Sequence, residues 1–592
     1  MTFWKTKILS TYPPRIPLST QSDGEVEEPS DADSPLLSHP DRKTFVINNT
    51  GGTLTIQLSS SHSADTYSYS YTYGPKGLPG LLHNRYAFLC AFFASIGGLE
   101  FGYDQGVIAN VLVMKDFMHR WPLTPLQKGT MTAVLEFGAL FGALLAGVYA
   151  DRYSRGQAIV WACVIFIIGS SFQCFAQHLS HIFIGRTVGG VGVGALSMLS
   201  PIYMAEISPP EVRGSLMALE QFSIVLGVVF GFWTGFATRE YPSSMSWRIP
   251  LGIQLIPAII LALGCAFVLP PSPRLLILQG NEEEAAKTLN LLRGGTSNLE
   301  ESNMDALVQL ELLEMRSETE VIRRTLAREL ETEEPLRGFK AEWKAWKKLF
   351  SERYRDRTWI GVLIMVFQQW SGINALLYYG PTLVQSIGLR GDTPALLVSG
   401  GIGIVQLFAV VPAIIWIDKV GRRALLRGGS AAMALSHAGI AVLVLIFQSN
   451  WSAHPFAAWI AVGGIYAFTF SYGLSFGPIG WVLPSEVFPI SMRSKGVALS
   501  TMSNWMNNFL IGLLTPVLVD FSASFTFLIF ASACVLAHIW ATYFVPETAN
   551  VPLEDIDKLF KAQAGVEERV LRDEIERDMG LHRLLRELVD DG

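Results

Sequence analysis

The chain has 592 residues, of which 50% are hydrophobic and 16% charged, and its mean hydropathy is +0.33. Charged residues make up about a quarter of an ordinary soluble protein, so this composition excludes a soluble enzyme. A formal charge of −6 with no concentrated basic face removes nucleic acid from the candidate partners. The five cysteines (Cys90, Cys163, Cys174, Cys265 and Cys534) each sit in an apolar run, none in a C-x-x-C or Cys/His cluster, and read as small buried hydrophobes.

Residues 1–83 are rich in Ser, Thr, Pro, Asp and Glu (SDGEVEEPSDADSPLL, SHSADTYSYSYTYG), a composition that predicts a disordered tail. No basic n-region followed by an apolar stretch marks a secretory signal, so the first spanning helix is expected to direct insertion. From Tyr86 onward, apolar segments of roughly 20 residues recur, enough to cross a hydrocarbon core of about 30 Å. They fall near 86–110, 129–149, 157–176, 181–204, 214–236 and 248–269, then near 358–385, 395–417, 424–447, 457–482, 496–519 and 522–545. The fold class is therefore an all-α membrane protein of twelve transmembrane helices in two six-helix bundles, 84–269 and 358–545. Between them, 270–357 is a polar, helical linker too charged to enter lipid, and 546–592 is a C-terminal tail. The linker carries 15 Lys and Arg, and the turns DRYSR, DKVGRRALLR and SMRSK are basic. By the positive-inside rule these face the cytoplasm, with both termini inside; the loop at 113–128, with Lys115, Arg120 and Lys128, is the outward exception.

The two groups of six repeat each other. Spans two and eight end in Asp151-Arg152-Tyr153-Ser154-Arg155 and Asp418-Lys419-Val420-Gly421-Arg422-Arg423. Spans four and ten end with a carboxylate followed seven residues on by an arginine, Glu206 with Arg213 and Glu486 with Arg493; spans six and twelve end in PPSPRLL and VPETAN. Three duplicated elements in register make the bundles pseudo-symmetric, the pattern of a carrier with a midplane site between two rocking halves. The segments GYDQG (Gly102 to Gly106), R-x-x-x-G-x-x-x-G (Arg186, Gly190, Gly194), PIYMAEISPPEVRG, PPSPR, QQWSGIN (Gln368 to Asn374) and PETANVPLED carry a further resemblance. From about 84 to 556 the chain resembles the sugar porter family of the major facilitator superfamily, in its fungal form. That resemblance implies a major facilitator fold, alternating access, and inward movement of a hexose-like monosaccharide with a proton.

A carboxylate inside a span costs about 2.5–3.5 kcal/mol, so Asp104 needs a reason to be there. At 1.5 Å per residue, Asp104 and Arg186 lie roughly 9 and 8 Å from the outer ends of spans one and four, hence at one depth. They read as a proton-coupling pair, in which protonation of Asp104 weakens its attraction to Arg186; a permanent structural ion pair is the alternative. Glu100, one turn before Asp104, reads as a polar lining of the cavity, with a share in the proton site as the alternative, and Glu136 and Glu220 as interhelical hydrogen-bonding groups.

A sugar hydroxyl both donates and accepts, as do Gln and Asn amides, and an aromatic side chain covers the apolar ring face. Span seven supplies Gln368, Gln369, Asn374, Tyr378 and Tyr379 in turn-spaced order, with interhelical bonding as the plainer role of such amides. The resemblance adds Gln221 from the first half and Gln406, Trp481, Asn504 and Trp505 from the second. Gln406 and Asn504 depart from the Asn and Gln of some relatives. Phe468 and Phe470 are further candidates for the lining. Arg152, Arg155, Arg422 and Arg423 are expected to pair with Glu206 and Glu486 as cytoplasmic gating ion pairs, with Arg213 and Arg493 beside them; positive-inside anchoring is the alternative. The first of these turns is degenerate, with Ser154 and Gly156 where the family has glycine and a basic residue. Gly190 and Gly194 form a face for close helix approach, and Pro478 and Pro484 are expected to interrupt span ten.

His178, His437 and His538 have no clustered partners and read as packing or loop residues. No P-loop, metal triad or activated nucleophile is present, so neither an enzyme nor a cofactor or metal is expected. The expected partners are a sugar, a proton and the lipid bilayer, with the chain acting as a monomer in the plasma membrane, or alternatively the vacuolar membrane. Asn450-Trp451-Ser452 is a glycosylation sequon in an outward loop, and Asn48-Asn49-Thr50 one in the tail. A carrier of a polyol or quinate, and a non-transporting sugar sensor, are the alternative functions. A carboxylate solute would call for a cavity cation beyond Arg186, and the sequence offers none.

Overall fold

The computed structural model describes residues 42–49, 52–61, 64–75, 83–152, 154–209, 212–294, 305–330, 339–388, 392–488, 492–548 and 564–590. The first elements are three strands, β1 (Arg42–Asn49), β2 (Gly52–Ser61) and β3 (Ala64–Thr72), in an antiparallel sheet of order β1-β2-β3. Span one is α1 (Arg85–Val111), followed by the short α2 (Lys115–Arg120) and by α3 (Pro125–Arg152), α4 (Arg155–Cys174), α5 (Leu179–Ile207) and α6 (Arg213–Thr238). Span six is divided into α7 (Met245–Ile253) and α8 (Leu255–Phe267). The linker contributes α9 (Pro273–Leu278), α10 (Glu282–Leu292), α11 (Ala306–Leu330) and α12 (Phe339–Lys348). In the second half, span seven is α13 (Arg355–Trp370) with α14 (Ile373–Ser386), then come α15 (Asp392–Val420) and α16 (Arg422–Phe447). Span ten is α17 (Pro455–Leu474) with α18 (Phe476–Val487), followed by α19 (Arg493–Phe521) and α20 (Ala523–Tyr543), and the tail adds α21 (Ala564–Asp578) and α22 (Leu581–Asp590).

Among the described residues, eleven of the expected spans are long and apolar enough to cross a bilayer. The remaining one, span eleven (α19), has the length at 29 residues but carries Asn504, Asn507 and Asn508. Its polarity belongs to the site and not to a loop.

Glycines set how closely the helices meet. In the first half, a Cβ on Gly102 or Gly106 would run into the carbonyls of Ile224 or Val228 on α6, and one on Gly227 or Gly231 into those of Leu99 or Tyr103 on α1. Backbone therefore meets backbone along α1 and α6, with Asp104 inside that seam. Gly190 and Gly194 do the same against Leu135 and Ala139 of α3, which fixes Arg186, one turn earlier on α5, beside the first turns of α3.

Two spans are broken where the backbone requires it. Gly372, at φ +94° between α13 and α14, is in the left-handed region that favours glycine, and a Cβ there would stand 2.7 Å from the Phe530 ring. Span ten breaks once, at Ser475 (φ −125°, ψ −88°), and not at both prolines as expected. Pro478 has no N–H to give the Leu474 carbonyl, which ends α17 upstream of it, whereas Pro484 is accommodated inside α18.

The expectation of a wholly disordered tail over 1–83 fails for 42–72. β2 alternates apolar and polar residues, and its register aligns Ile56 with Phe45 and Tyr69, and Leu54 with Ile47 and Tyr71. One sheet face is thus apolar and packs on Leu289 of α10, Leu307 and Leu310 of α11 and Leu581 and Leu585 of α22. Segments of low hydropathy fold here because a partner surface covers one face. Tyr71 donates to Glu314 (2.6 Å), and Tyr73 to Glu311 (2.8 Å) and to the Leu307 carbonyl (3.0 Å). Burial, then Glu311, pushes both phenols well above their ordinary range, so both remain donors. Arg293 pairs with Glu311 (2.6 Å) and donates to the Ile207 carbonyl at the end of α5 (3.0 Å), tying this body to the first bundle. Residues 1–41 lie outside the described residues.

Candidate functional site: an amide cleft beside a buried ion pair

A cleft lies between the halves. Phe101, Gln105, Gln221, Ile224, Val225 and Val228 line it from the first half, and Gln368, Gln369, Ile373, Asn374, Leu377, Gln406, Tyr472, Trp481 and Asn504 from the second. Its free space is about 30 Å³, room for about one water. Of the expected solute-contact residues, seven meet there: Gln221, Gln368, Gln369, Asn374, Gln406, Trp481 and Asn504.

The amides form a chain of hydrogen bonds. The Gln368 amide donates to the Phe476 carbonyl (2.9 Å) at the start of α18 and accepts from Asn504 (2.6 Å). Gln369 donates to Asn504 (3.1 Å) and accepts from Asn374 (2.6 Å), and Asn374 also donates to Asn508 (2.9 Å). The break at Gly372 makes this possible, because it turns α14 so that Asn374 faces back onto Gln369, five residues earlier. Oε1 of Gln221 and of Gln406 are buried with no hydrogen-bond partner among the described residues.

Two expected residues stand elsewhere. Tyr379 has non-helical angles (φ −120°, ψ 22°) two residues before Pro381, and its hydroxyl is turned to the Gly512 carbonyl (2.7 Å). Trp505 is fully buried between the halves, donating to Ser197 (3.2 Å) with its ring edge-on to Phe101; it packs behind the lining. Phe468 stacks on His437 and Phe470 is exposed on the outer face of the bundle, so neither lines the cleft.

Asn508 and Gln105 were missed as site residues. Asn508 and Tyr378 contact each other at 3.0 and 3.2 Å, and Gln105 of the first half donates to the same hydroxyl (3.0 Å). The signal was present in the run Asn504-Trp505-Met506-Asn507-Asn508, where a second amide follows the first by four residues and so shares its helix face.

Asp104 and Arg186 meet at 3.3 Å, both fully buried, and Arg186 also reaches the Thr132 carbonyl (3.5 Å). Glu136, one turn after Thr132 on α3, is 1% exposed, and its Oε2 is buried with no hydrogen-bond partner among the described residues. Glu100 and Glu220 are buried apart from this group.

At the linker end, Arg155 pairs with Glu206 (3.0 Å) and Arg422 with Glu486 (2.8 Å), so each half holds one arginine–carboxylate pair. Arg423 does not join its pair: its guanidinium goes to the Thr542 carbonyl, while the backbone amides of Arg422 and Arg423 donate to Glu547 (2.8 and 3.2 Å). Thr548 adds a bond to Glu486 (2.7 Å). Glu547 and Thr548 thereby join the second ion-pair cluster, contacts the sequence reading did not give them. Arg493 begins α19 close by; the side chains of Arg152 and Arg213 lie outside the described residues. His437 is fully buried among Phe468, Phe527 and Phe530, and its Nε2 donates to the Ser371 carbonyl (2.9 Å) at the span-seven break. Among the described residues there is no group of three His, Cys, Asp or Glu side chains that could hold a metal ion.

Two six-helix halves around a polar midplane cleft, with arginine–carboxylate pairs at one end, define a membrane carrier of the major facilitator type. Residues 90–560 match the family described as "Sugar (and other) transporter", and the chain belongs to it. It is 31% identical over 492 residues to the probable metabolite transport protein CsbC of Bacillus subtilis, covering 82% of this chain and 98% of that one. It is 32% identical over 503 residues to a quinate permease of Neurospora terricola, covering 82% and 90%. In three dimensions it is similar to the proton:xylose symporter XylE bound to 6-bromo-6-deoxy-D-glucose, with a TM-score of 0.66 at 26% identity over 81% of this chain and 99% of that one.

Proposed function

We propose that this carrier moves a neutral monosaccharide, of hexose or pentose size, across the plasma membrane by alternating access together with one proton, acting as a monomer with both termini in the cytoplasm. The observation that carries the reading is the cleft itself: seven amides and one indole, and no cationic side chain, line it among the described residues. Each amide offers a donor and an acceptor, which suits vicinal hydroxyls, and Trp481 offers a flat face for a pyranose ring. The similar proteins include a quinate permease, whose named solute is a carboxylate. An anion in this cleft would meet amide groups but no compensating cation among the described residues, so the lining favours the neutral solute.

In the cycle, the solute enters between Gln221 and the span-seven amides and takes over bonds that those amides make to one another. Closure above it brings α14 against α1, and opening below requires the Arg155–Glu206 and Arg422–Glu486 pairs to release. The Asp104–Arg186 pair lies one residue from Gln105, which lines the cleft, so a proton on Asp104 alters the charge behind the solute. Asp104→Asn should retain exchange of labelled for unlabelled sugar and lose concentrative uptake; concentrative uptake by the variant at the wild-type level would refute the coupling. A polyol in place of the sugar is separated by testing glycerol in the same assay.

A further inference from the structure

The N-terminal sheet and the last helix meet the linker in one buried cluster. Leu54 and Ile56 of β2 and Tyr73 just after β3 pack with Leu289 of α10, Leu307 and Leu310 of α11, and Leu581 and Leu585 of α22. The approach is close, since a Cβ on Gly52 would stand 2.9 Å from Leu307 Cδ1. Farther along α11, Val321 packs on Leu571 and Ile575 of α21. None of these side chains lines the cleft.

Arg293, just past α10, joins this body to the spans. Its Nε and Nη2 donate to Glu311 of α11 (2.9 and 2.6 Å), its Nη1 donates to the Ile207 carbonyl at the end of α5 (3.0 Å), and its Cζ stands 5.1 Å from the centre of the Tyr73 ring. The Tyr73 hydroxyl lies 2.8 Å from Glu311 and 3.0 Å from the Leu307 carbonyl. One guanidinium is thus shared by the sheet segment, the linker and span four. Ile207 directly follows Glu206, the partner of Arg155 (3.0 Å). Arg274, just past span six, pairs with Glu318 of α11 (3.2 Å), a second tie between that helix and the first half.

The other end of the linker reaches the second half. Trp346 of α12 packs against the first-half cluster that holds Ile207 and Val212, and also against Tyr354, Phe488 and Met492 of the second half. Separating the halves on this side must take Trp346 off one of them, or pull Arg293 away from Ile207. The Arg293 and Glu311 side chains are only 2% and 5% exposed, so water does not replace a lost partner while the cluster stays intact. The sheet and α22 keep it intact by covering α10 and α11.

We propose that the β1–β3 sheet and α22 act as an intramolecular brake: docked on α10 and α11, they hold the linker across both halves and slow opening of the cleft on the linker side. Undocking them weakens the hold of Arg293 and Trp346 and speeds that opening. The inference rests on the alternating-access reading and goes beyond it by giving the two terminal segments a role in the rate of the cycle.

The test is labelling of the full chain in membrane vesicles with the linker side outward, by a maleimide that does not cross the membrane. The five native cysteines are changed to alanine and Val225→Cys supplies a thiol in the cleft. Ile56→Asp puts a charge into the apolar face of the sheet, Tyr73→Phe keeps the ring over Arg293 and removes the hydroxyl, and Ser70→Asp puts the same charge on the exposed face. Ile56→Asp should speed labelling on the order of tenfold and Tyr73→Phe about threefold, with Ser70→Asp unchanged. Amide hydrogen exchange over the strands and α22 should rise in Ile56→Asp. Labelling of Ile56→Asp at the wild-type rate overturns the brake: with exchange raised, the undocked sheet restrains nothing, and with exchange unchanged, this face does not hold the sheet. If Ile56→Asp does not reach the membrane, an unchanged rate in Tyr73→Phe overturns it instead. Wild-type labelling that sugar does not alter removes the alternating-access reading itself, a result distinguishable from failure of the brake alone.

Discussion

Gln369 is the hub of the amide chain, and its truncation gives the sharpest quantitative expectation. Its side chain makes two neutral hydrogen bonds, accepting from Asn374 at 2.6 Å and donating to Asn504 at 3.1 Å. A neutral bond contributes about 0.5–1.5 kcal/mol net, and leaving a buried partner unsatisfied costs about 1–3 kcal/mol. In the solute complex those two valences go to sugar hydroxyls, so Gln369→Ala should weaken binding by about 2 kcal/mol, a KM increase of about 30-fold. The maximal rate at saturating sugar should change far less, because the latches and the proton site are untouched. Concentration-dependent uptake of labelled sugar, normalised to surface protein, measures both. A KM within about twofold of wild type, with the protein at the surface, would show that the solute does not bind at Gln369 and would refute the site.

The remaining predictions concern the latch and the seam. Glu486→Ala removes the partner of Arg422 and of Thr548 (2.8 and 2.7 Å), a partly buried pair whose loss costs about 2–3 kcal/mol after allowing for its residual exposure. It should shift the carrier towards opening on the linker side, read as faster labelling of a single cysteine in the cleft from that side; an unchanged rate would leave these pairs as anchors only. Gly102→Leu forces a side chain into the Ile224 carbonyl on α6 and should lower the melting temperature in detergent, by about 1–3 kcal/mol of stability or more. An unchanged melting temperature would mean that α1 and α6 can separate without cost.

The bundle was legible in the sequence because apolar runs of spanning length and a duplicated set of turns are long-range signals that need no tertiary information. Span eleven was legible in the same way, as 496–519 against Arg493–Phe521, although Asn504, Asn507 and Asn508 lower its apolar character. The amides that line the site could be read from their chemistry, since Gln368, Gln369 and Asn374 have no other reason to lie at midmembrane. Trp505 and Tyr379 could not be placed, because which face a side chain takes near a break depends on local angles such as φ −120° at Tyr379. The N-terminal sheet was missed for a different reason. Composition over 1–83 averages a polar stretch with 42–72, where alternation in GTLTIQL and TYSYSYTY carries the strand signal at a period of two. That signal becomes a fold only against α10, α11 and α22, which lie more than two hundred residues away in sequence. That Arg186 also reaches the Thr132 carbonyl of α3 depends on the Gly190 and Gly194 contacts with that helix, which spacing alone does not reveal.

The most direct test of the account is uptake of labelled glucose, fructose, xylose, glycerol and quinate in cells lacking their own hexose carriers, each with and without a protonophore. The account predicts saturable uptake of a neutral sugar that the protonophore abolishes, with quinate and glycerol excluded. Sugar uptake indifferent to the protonophore would contradict the coupling to a proton, and uptake of quinate alone would contradict the neutral-solute cleft.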